Sequence, residues 1–380
     1  MEVNMEVKID YFSATFPLIC DADDSVKLRV DEMVMLLATY LNVENFEILY
    51  KPTAQNNFHY QVDLGKHIIL RLDGPLNKYY QRTCHLEMKG EGCRDFEKRN
   101  PDKTWLNLIL FMVQLNATFK RIDIAIDDYK GDVIDIKWLF DKVITNDYYT
   151  SIFKSKPKPI GWFSSGMTIQ FGSNQSQSEL VIYDKKKERE HRKEECDKIY
   201  WVRFEMRFRE SNAEAIAYMI AKTFDDKDIS SYGTRLQKFA KAQLYRMLDI
   251  KEDTNLTLKN INKAQTDPKW LKFLDNVDKG GLFKPQSEDE VKLFEDYEDY
   301  FWPDFLFYLI VLYLKTGRKR YIVETEIWKN AYKRFALTKY RFQRLNIFLK
   351  QLNIATVDDD DFAQIKEEFK EILEDKELPF

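Results

Sequence analysis

The chain has 380 residues, with 59 Lys and Arg against 63 Asp and Glu, a formal net charge of −4, abundant Phe and Tyr, and few Gly and Pro. That excludes a disordered or fibrous chain, and it argues against a generic basic DNA-coating protein. A site-specific DNA protein survives, because local clusters of Lys and Arg matter more than the net charge. The length suits one large or two medium domains. The four cysteines (Cys20, Cys84, Cys93, Cys196) form no CxxC pair, although Cys84 and Cys93 could meet across a hairpin. Reduced thiols are the preferred reading. The acidic residues between Met1 and Glu6 do not suit a signal peptide, and the most apolar run, Phe305 to Leu314, falls short of the roughly 20 residues of a membrane span. A cytoplasmic protein without a membrane partner is expected.

In chain order, Val7 to Pro17 reads as a strand stopped by proline, and Ser25 to about Leu41 as a helix. Strands are expected over 46–50, 59–64 and 67–72, and another over 85–92 that its glycines end. An amphipathic helix over 104–118 leads into a strand over 121–128. The next part repeats the theme, with a helix near 134–145, strands over 167–172, 179–183 and 200–209, and a helix over 212–223. Successive strand-rich parts with helices predict an α+β fold, in which one extended sheet carries helices packed on one face. We therefore expect a catalytic domain over 1–250, in halves of about 1–130 and 131–250. A polar connector follows over 251–286, then a helical C-terminal domain over 287–380. Between Tyr313 and Lys350 the helical region is strongly basic, and from Asp358 onward it is acidic. There Lys339, Arg341 and Arg344 follow a candidate N-cap at Thr338; they suit either the reading helix of a DNA-binding helix-turn-helix or the charged face of a helical hairpin.

The alternating segments Arg121–Asp128, Leu180–Lys185 and Trp201–Arg209 carry the chemistry. In a strand, residues two apart share a face. Asp123 and Asp127 therefore lie on one face of the first segment, and Arg203, Glu205 and Arg207 on one face of the third. If the strands are neighbours, carboxylates, a phenol and cations converge. A hard cation such as Mg2+ or Mn2+ takes oxygen ligands, and Asp123, Asp127, Asp128 and Glu205 are candidates. Residues four apart on a strand are separated by about 13 Å, so one of Asp123 and Asp127 is expected to act with Glu205. Tyr183 is followed by Asp184 and Lys185, and a nearby cation would favour its phenolate. Arg94, Arg121, Arg203, Arg207 and Arg209 are candidate DNA contacts, because a guanidinium matches phosphate oxygens; for Arg203, Arg207 and Arg209, pairing with neighbouring carboxylates is the ordinary alternative. Gly90 to Arg94 lacks the lysine and spacing of a nucleotide-binding loop and reads as a tight turn. The four histidines form no metal-binding spacing.

Taken in order, Ile9–Phe12, Met88–Arg94, Arg121–Asp128, Ile169–Ser173, Ile182–Lys185 and Val202–Glu205 resemble the motifs of the replication initiation factor family, over roughly residues 7 to 215. That family includes rolling-circle plasmid replication initiators and relaxases of integrative conjugative elements. The resemblance implies a mostly antiparallel curved sheet and a site-specific DNA strand transferase. Such a protein nicks origin DNA at a hairpin-forming, single-stranded site and stays joined to the 5′ phosphate through a tyrosine. It also implies a divalent metal (Mg2+ or Mn2+), a host helicase and a homodimer. By position, Tyr183 matches the nucleophile, Asp123 or Asp127 and Glu205 the acidic residues, and Lys185 and Arg203 the basic ones. Two other readings stay open: a metal-dependent hydrolytic nuclease and a non-catalytic origin-binding protein.

Overall fold

The computed structural model describes residues 5–277, apart from 19–25, 44–50, 53–56, 78–80, 151, 154–156, 161–165, 224–230 and 253–259. The basic helical region with Lys339, Arg341 and Arg344, the strand expected over 46–50 and Cys20 lie outside the described residues. The first half runs β1 (Met5–Pro17), α1 (Val26–Tyr40), β2 (Lys51–Pro52), β3 (Tyr60–Asp63), β4 (Ile68–Leu72), β5 (Thr83–Lys89), α2 (Gly90–Arg99), α3 (Trp105–Gln114) and β6 (Thr118–Asp128). The second runs α4 (Ile136–Thr145), β7 (Tyr148–Tyr149), β8 (Lys158–Ile160), β9 (Thr168–Phe171), β10 (Ser178–Asp184), α5 (Lys185–His191), β11 (Val202–Arg209), α6 (Ser211–Thr223), α7 (Tyr232–Met247), β12 (Asp249–Ile250) and α8 (Pro268–Phe273).

The expected α+β architecture is present. A ten-stranded open sheet has the order β2-β3-β4-β5-β1-β6-β11-β10-β9-β8, and each of its pairings is antiparallel. Alternation explains the burial. Ile122, Ile124 and Ile126 of β6, Phe204, Met206 and Phe208 of β11, and Leu180 and Ile182 of β10 are all buried. Against this apolar face pack α6 on β6 and β11, α7 on β1 and β6, and α3 on β1. The residues of opposite parity line the other face, and they are the charged ones.

β1 does not keep one phase along its length. Ile9 pairs with Ile124, but Tyr11 pairs with Asp123, so Asp10 is an extra residue opposite β6. Such a bulge re-aims a side chain, and here it turns the Asp10 carboxylate toward β11. A second irregularity leaves Lys120 extra between Phe119 and Arg121.

The structure corrects the reading of residues 85–92. Their strand ends at Lys89, and Gly90 and Gly92 open helix α2. A Cβ at Gly92 would stand 2.4 Å from the His67 carbonyl oxygen, so only glycine fits this close approach. Cys84 and Cys93 are buried free thiols.

Part of the stretch read as a connector is packed. Asp267 caps α8 by accepting from Lys269 N at 2.9 Å, with Pro268 in its first turn. Trp270 and Phe273 then bury their rings against Phe204, with centroids 6.4 and 4.9 Å away. Buried lysines tie this stretch to the domain: Lys142 donates to the Lys251 carbonyl at 2.8 Å, and Lys241 pairs with Asp275 at 2.5 Å. Because Trp270 is fully buried, Trp270→Ala is expected to lower the unfolding free energy by about 3–5 kcal/mol, read by urea denaturation.

Candidate active site

The charged face is built in rows fixed by strand register. Tyr183 stands opposite Arg203 on β11, and Arg203 opposite Asp127 on β6. In the next row Val181 faces Glu205, and in the following one Glu179, Arg207, Asp123 and Tyr11 lie abreast. Tyr183 thus meets Glu205 diagonally, and its hydroxyl donates to Glu205 Oε2 at 2.9 Å. Directly after Tyr183, Asp184 caps α5 by accepting from Lys187 N at 3.0 Å. The strand ends there and Lys185 swings beside the phenol, its ammonium 5.5 Å from the Tyr183 ring centre.

Arg203 is the hub. Its Nε and Nη2 donate to the two oxygens of Asp127 at 2.7 and 2.9 Å, and Nη1 donates to Asp10 at 2.7 Å. Lys8 adds a contact to Asp127 at 3.1 Å. Burial alone would raise the Asp127 pKa, but the Arg203 hydrogen bonds and the charges of Arg203 and Lys8 hold it below its ordinary value. Glu205 behaves alike: burial opposes its charge, yet Arg207, bonded to it at 2.7 Å, Arg203 and the Tyr183 hydroxyl keep it ionised. Asp123 differs. Burial pushes it up to about 7 and the Glu205 charge adds to that, against the fork of Arg121.

For Tyr183 the sequence-based expectation of a favoured phenolate is overturned. Burial raises its pKa well above 10, and the neighbouring Glu205 charge adds to the rise more than Arg203 offsets. The phenol is a hydrogen-bond donor poised on a carboxylate.

Tyr183, Lys185, Arg203, Glu205, Arg207 and Arg94 line one cavity of about 620 Å³. Sequence reasoning did not single out its other contributors, among them Asp10, Lys8, Lys89, Arg189, Arg192 and Trp201. Lys and Arg outnumber Asp and Glu in the lining by eight to five, so the cavity favours an anion. Arg94 also donates to the Ile9 carbonyl and, at 3.0 Å, to Glu97.

Other predicted residues lie outside the lining. Asp127 sits behind Arg203, and Asp123 is held by Arg121, whose guanidinium also covers the Tyr11 ring at 4.3 Å. Arg209 bonds Glu179 at 2.6 Å and the Ser176 carbonyl at 3.1 Å. For Arg209 the pairing alternative therefore describes the structure, and Arg121, expected as a DNA contact, is instead engaged by Asp123. Asp128 accepts from Lys130 N and Gly131 N in the turn after β6.

The resemblance implies a divalent ion, which the acidic groups of this face would have to hold. Asp123, Asp127 and Glu205 do not converge; each is engaged by its own arginine. Among the described residues, no group of three His, Cys, Asp or Glu side chains could hold a metal. The carboxylates as arranged do not fit a metal's ligand set. No helix among the described residues is long and apolar enough to cross a membrane.

The Arg203–Asp127 pair is almost fully buried, so removing one charge strands the other. Asp127→Asn is expected to destabilise the protein by about 3 kcal/mol at pH 7 in urea denaturation. Because the folded-state pKa of Asp127 lies below 3.8, its contribution is present above that pH and is lost as the pH falls through the folded value. The difference between wild type and variant should therefore shrink in acid.

Comparison with known proteins places this geometry. A family model described as Replication initiation factor matches residues 117–300, which take in β6, β10 and β11. NicK of Bacillus subtilis (strain 168), a protein named as a DNA relaxase, is 28% identical over 218 residues, 54% of this chain. The match spans 58% of that relative's own length. The solved structure of the rolling circle replication initiator protein from Geobacillus stearothermophilus superposes with a TM-score of 0.53 at 20% identity, covering 74% of this chain and 100% of that one. At that identity the likeness speaks for the fold alone. The ordered motifs and the family model agree: over residues 117–300 the chain is similar to the replication initiation factor family, and its fold is that of the initiator structure.

Proposed function

We propose that this protein nicks one strand of origin DNA and carries the 5′ end on Tyr183, as a rolling-circle initiator or relaxase. The observation that carries the reading is the hydrogen bond from the Tyr183 hydroxyl to Glu205 at the wall of an anion-favouring cavity. The phenol oxygen attacks the scissile phosphorus, its proton passes to Glu205 Oε2, and the 3′ oxygen of the upstream nucleotide leaves. The phosphodiester becomes a phosphotyrosyl ester, and reversal by a 3′ hydroxyl reseals the strand without ATP.

A high phenol pKa requires a base at the moment of attack. Glu205 is ionised in the free protein, and a phosphate seated beside it raises its proton affinity by like-charge repulsion. Arg203, Lys185 and Arg94 line the same cavity as Tyr183, and in this reading they stabilise the charge that develops on the phosphoryl oxygens. Fixing Arg203 between Asp127 and Asp10 means that no reorganisation is needed during the step.

The partner is origin DNA with an exposed single-stranded nick site. A helicase, a second subunit and a divalent ion are proposals that rest on the family resemblance alone.

The test uses supercoiled plasmid carrying the DNA that flanks this gene, in buffer with Mg2+ or Mn2+. Wild type should yield open circles, Tyr183→Phe none, and Glu205→Gln a rate lower by about 10²–10⁴-fold. Undiminished nicking by Tyr183→Phe would replace this reading with a hydrolytic nuclease. Origin binding without nicking by wild type would make the protein a non-catalytic binder.

A further inference from the structure

The loop between α5 and β11 links the helix that follows Tyr183 to the strand of Arg203 and Glu205, and it holds the most exposed large hydrophobic side chain among the described residues. Ile199 is 93% exposed, against 54% for Leu76 and 56% for Ile144. An isolated exposed apolar residue ordinarily needs no explanation. Three features set Ile199 apart.

The loop is anchored closely around it. Lys186 Nζ donates to the Ile199 carbonyl at 3.2 Å, and Lys186 N donates to the Trp201 carbonyl at 3.2 Å. Arg189 holds the Glu195 carbonyl at 2.9 Å. Its neighbours are also seated. The Lys198 ammonium lies 5.5 Å from the Tyr129 ring centre, the Tyr200 ring presses against Gly131, and Trp201 lines the cavity. A stiff, β-branched apolar side chain is thus held out to solvent on a braced loop.

The surroundings suit nucleic acid. Tyr129 and Trp201 form a tilted aromatic pair at 5.5 Å, and the Arg189 guanidinium lies 5.6 Å from the Trp201 ring. Arg189 in the last turn of α5, Arg192 at the start of this loop and Trp201 at its end belong to the same cavity wall as Tyr183. Acids of the same segment hold these cations in place, Glu194 on Arg189 at 3.5 Å, Glu188 on Arg192 at 2.7 Å and Asp197 on Lys198 at 3.4 Å. In the chain Ile199 stands between Lys198 and Tyr200, and an exposed apolar side chain flanked by a cation and aromatic residues suits the unstacking of a base step in DNA.

We infer that Ile199 is a wedge that inserts between bases of origin DNA beside the scissile phosphate, separating the strands so that a single-stranded segment enters the Tyr183 cavity. The inference rests on the nickase reading, and its occupant is a base step of duplex DNA. An unpaired strand already presents splayed bases, so the wedge matters for duplex and not for single-stranded substrate.

The experiment compares wild type, Ile199→Ser and Ile199→Ala on two substrates: supercoiled plasmid carrying the DNA that flanks this gene, and a single-stranded oligonucleotide spanning the mapped nick. Ile199→Ser should lower plasmid nicking about tenfold while oligonucleotide nicking stays within about twofold, with Ile199→Ala intermediate. Equal rates for wild type and variant on plasmid, or equal losses on both substrates, would overturn the wedge. Permanganate reactivity of plasmid thymines, read on the Tyr183→Phe background, reports opening without cleavage. Reactivity near the nick that disappears with Ile199→Ser supports the wedge; reactivity that persists, or that is absent even with Ile199 present, overturns it. Failure of every protein to cut the oligonucleotide would count against the nickase reading instead, and the permanganate result would still decide the wedge.

Discussion

The interaction on which the site depends is the cross-brace of Arg203. A guanidinium with almost no water must be satisfied by carboxylates, because an isolated buried charge costs several kcal/mol. Asp127 takes two of its N–H groups in the parallel fork geometry, and Asp10 takes a third from the far side of β6. One side chain thereby ties β11, β6 and β1 together on the polar face. Register then does the rest: with Arg203 fixed opposite Asp127, Tyr183 stands opposite Arg203, and Glu205, two residues further along β11, falls within hydrogen-bond reach of the phenol.

The same logic explains how a chain with net charge −4 presents an anion site. The acids on this face are spent on arginines: Asp123 on Arg121, Glu179 on Arg209, Glu87 on Arg71 at 2.7 Å. Each pairing holds a cation in place and gives the face little net charge. The lining of the cavity, by contrast, holds more Lys and Arg than Asp and Glu. Buried networks of this kind are rigid when every member is satisfied, and they orient catalytic groups before substrate arrives. The Tyr183 phenol is neutral, its pKa raised by burial, and it donates a hydrogen bond to Glu205 at 2.9 Å.

Much of the sheet was legible in the sequence. Val202 to Arg209 and Arg121 to Asp128 alternate so regularly that their faces, and the residues sharing each face, follow from period two. The bulge was also written there. In β1 the apolar phase runs through Val7 and Ile9, then shifts to Phe12, Ala14 and Phe16, so one extra residue must fall between; it is Asp10. That shift of phase is the signal that could have placed Asp10 in the site. The partner of each arginine was not legible, because ion pairs across strands depend on register, which local pattern leaves free. Nor was the start of α2 at Gly90, since glycine reads as a breaker until the His67 carbonyl packed against Gly92 is known. The burial of Trp270 under Phe204 was hidden by the polar residues around it.

The central claim is that Tyr183 carries the DNA. The most direct measurement is mass spectrometry of the protein trapped on nicked origin DNA, after nuclease and trypsin digestion. The account predicts a nucleotide 5′-phosphate joined to Tyr183 and to no other residue. An adduct on a different side chain, or nicked DNA with a free 5′ phosphate and unmodified protein, would contradict it.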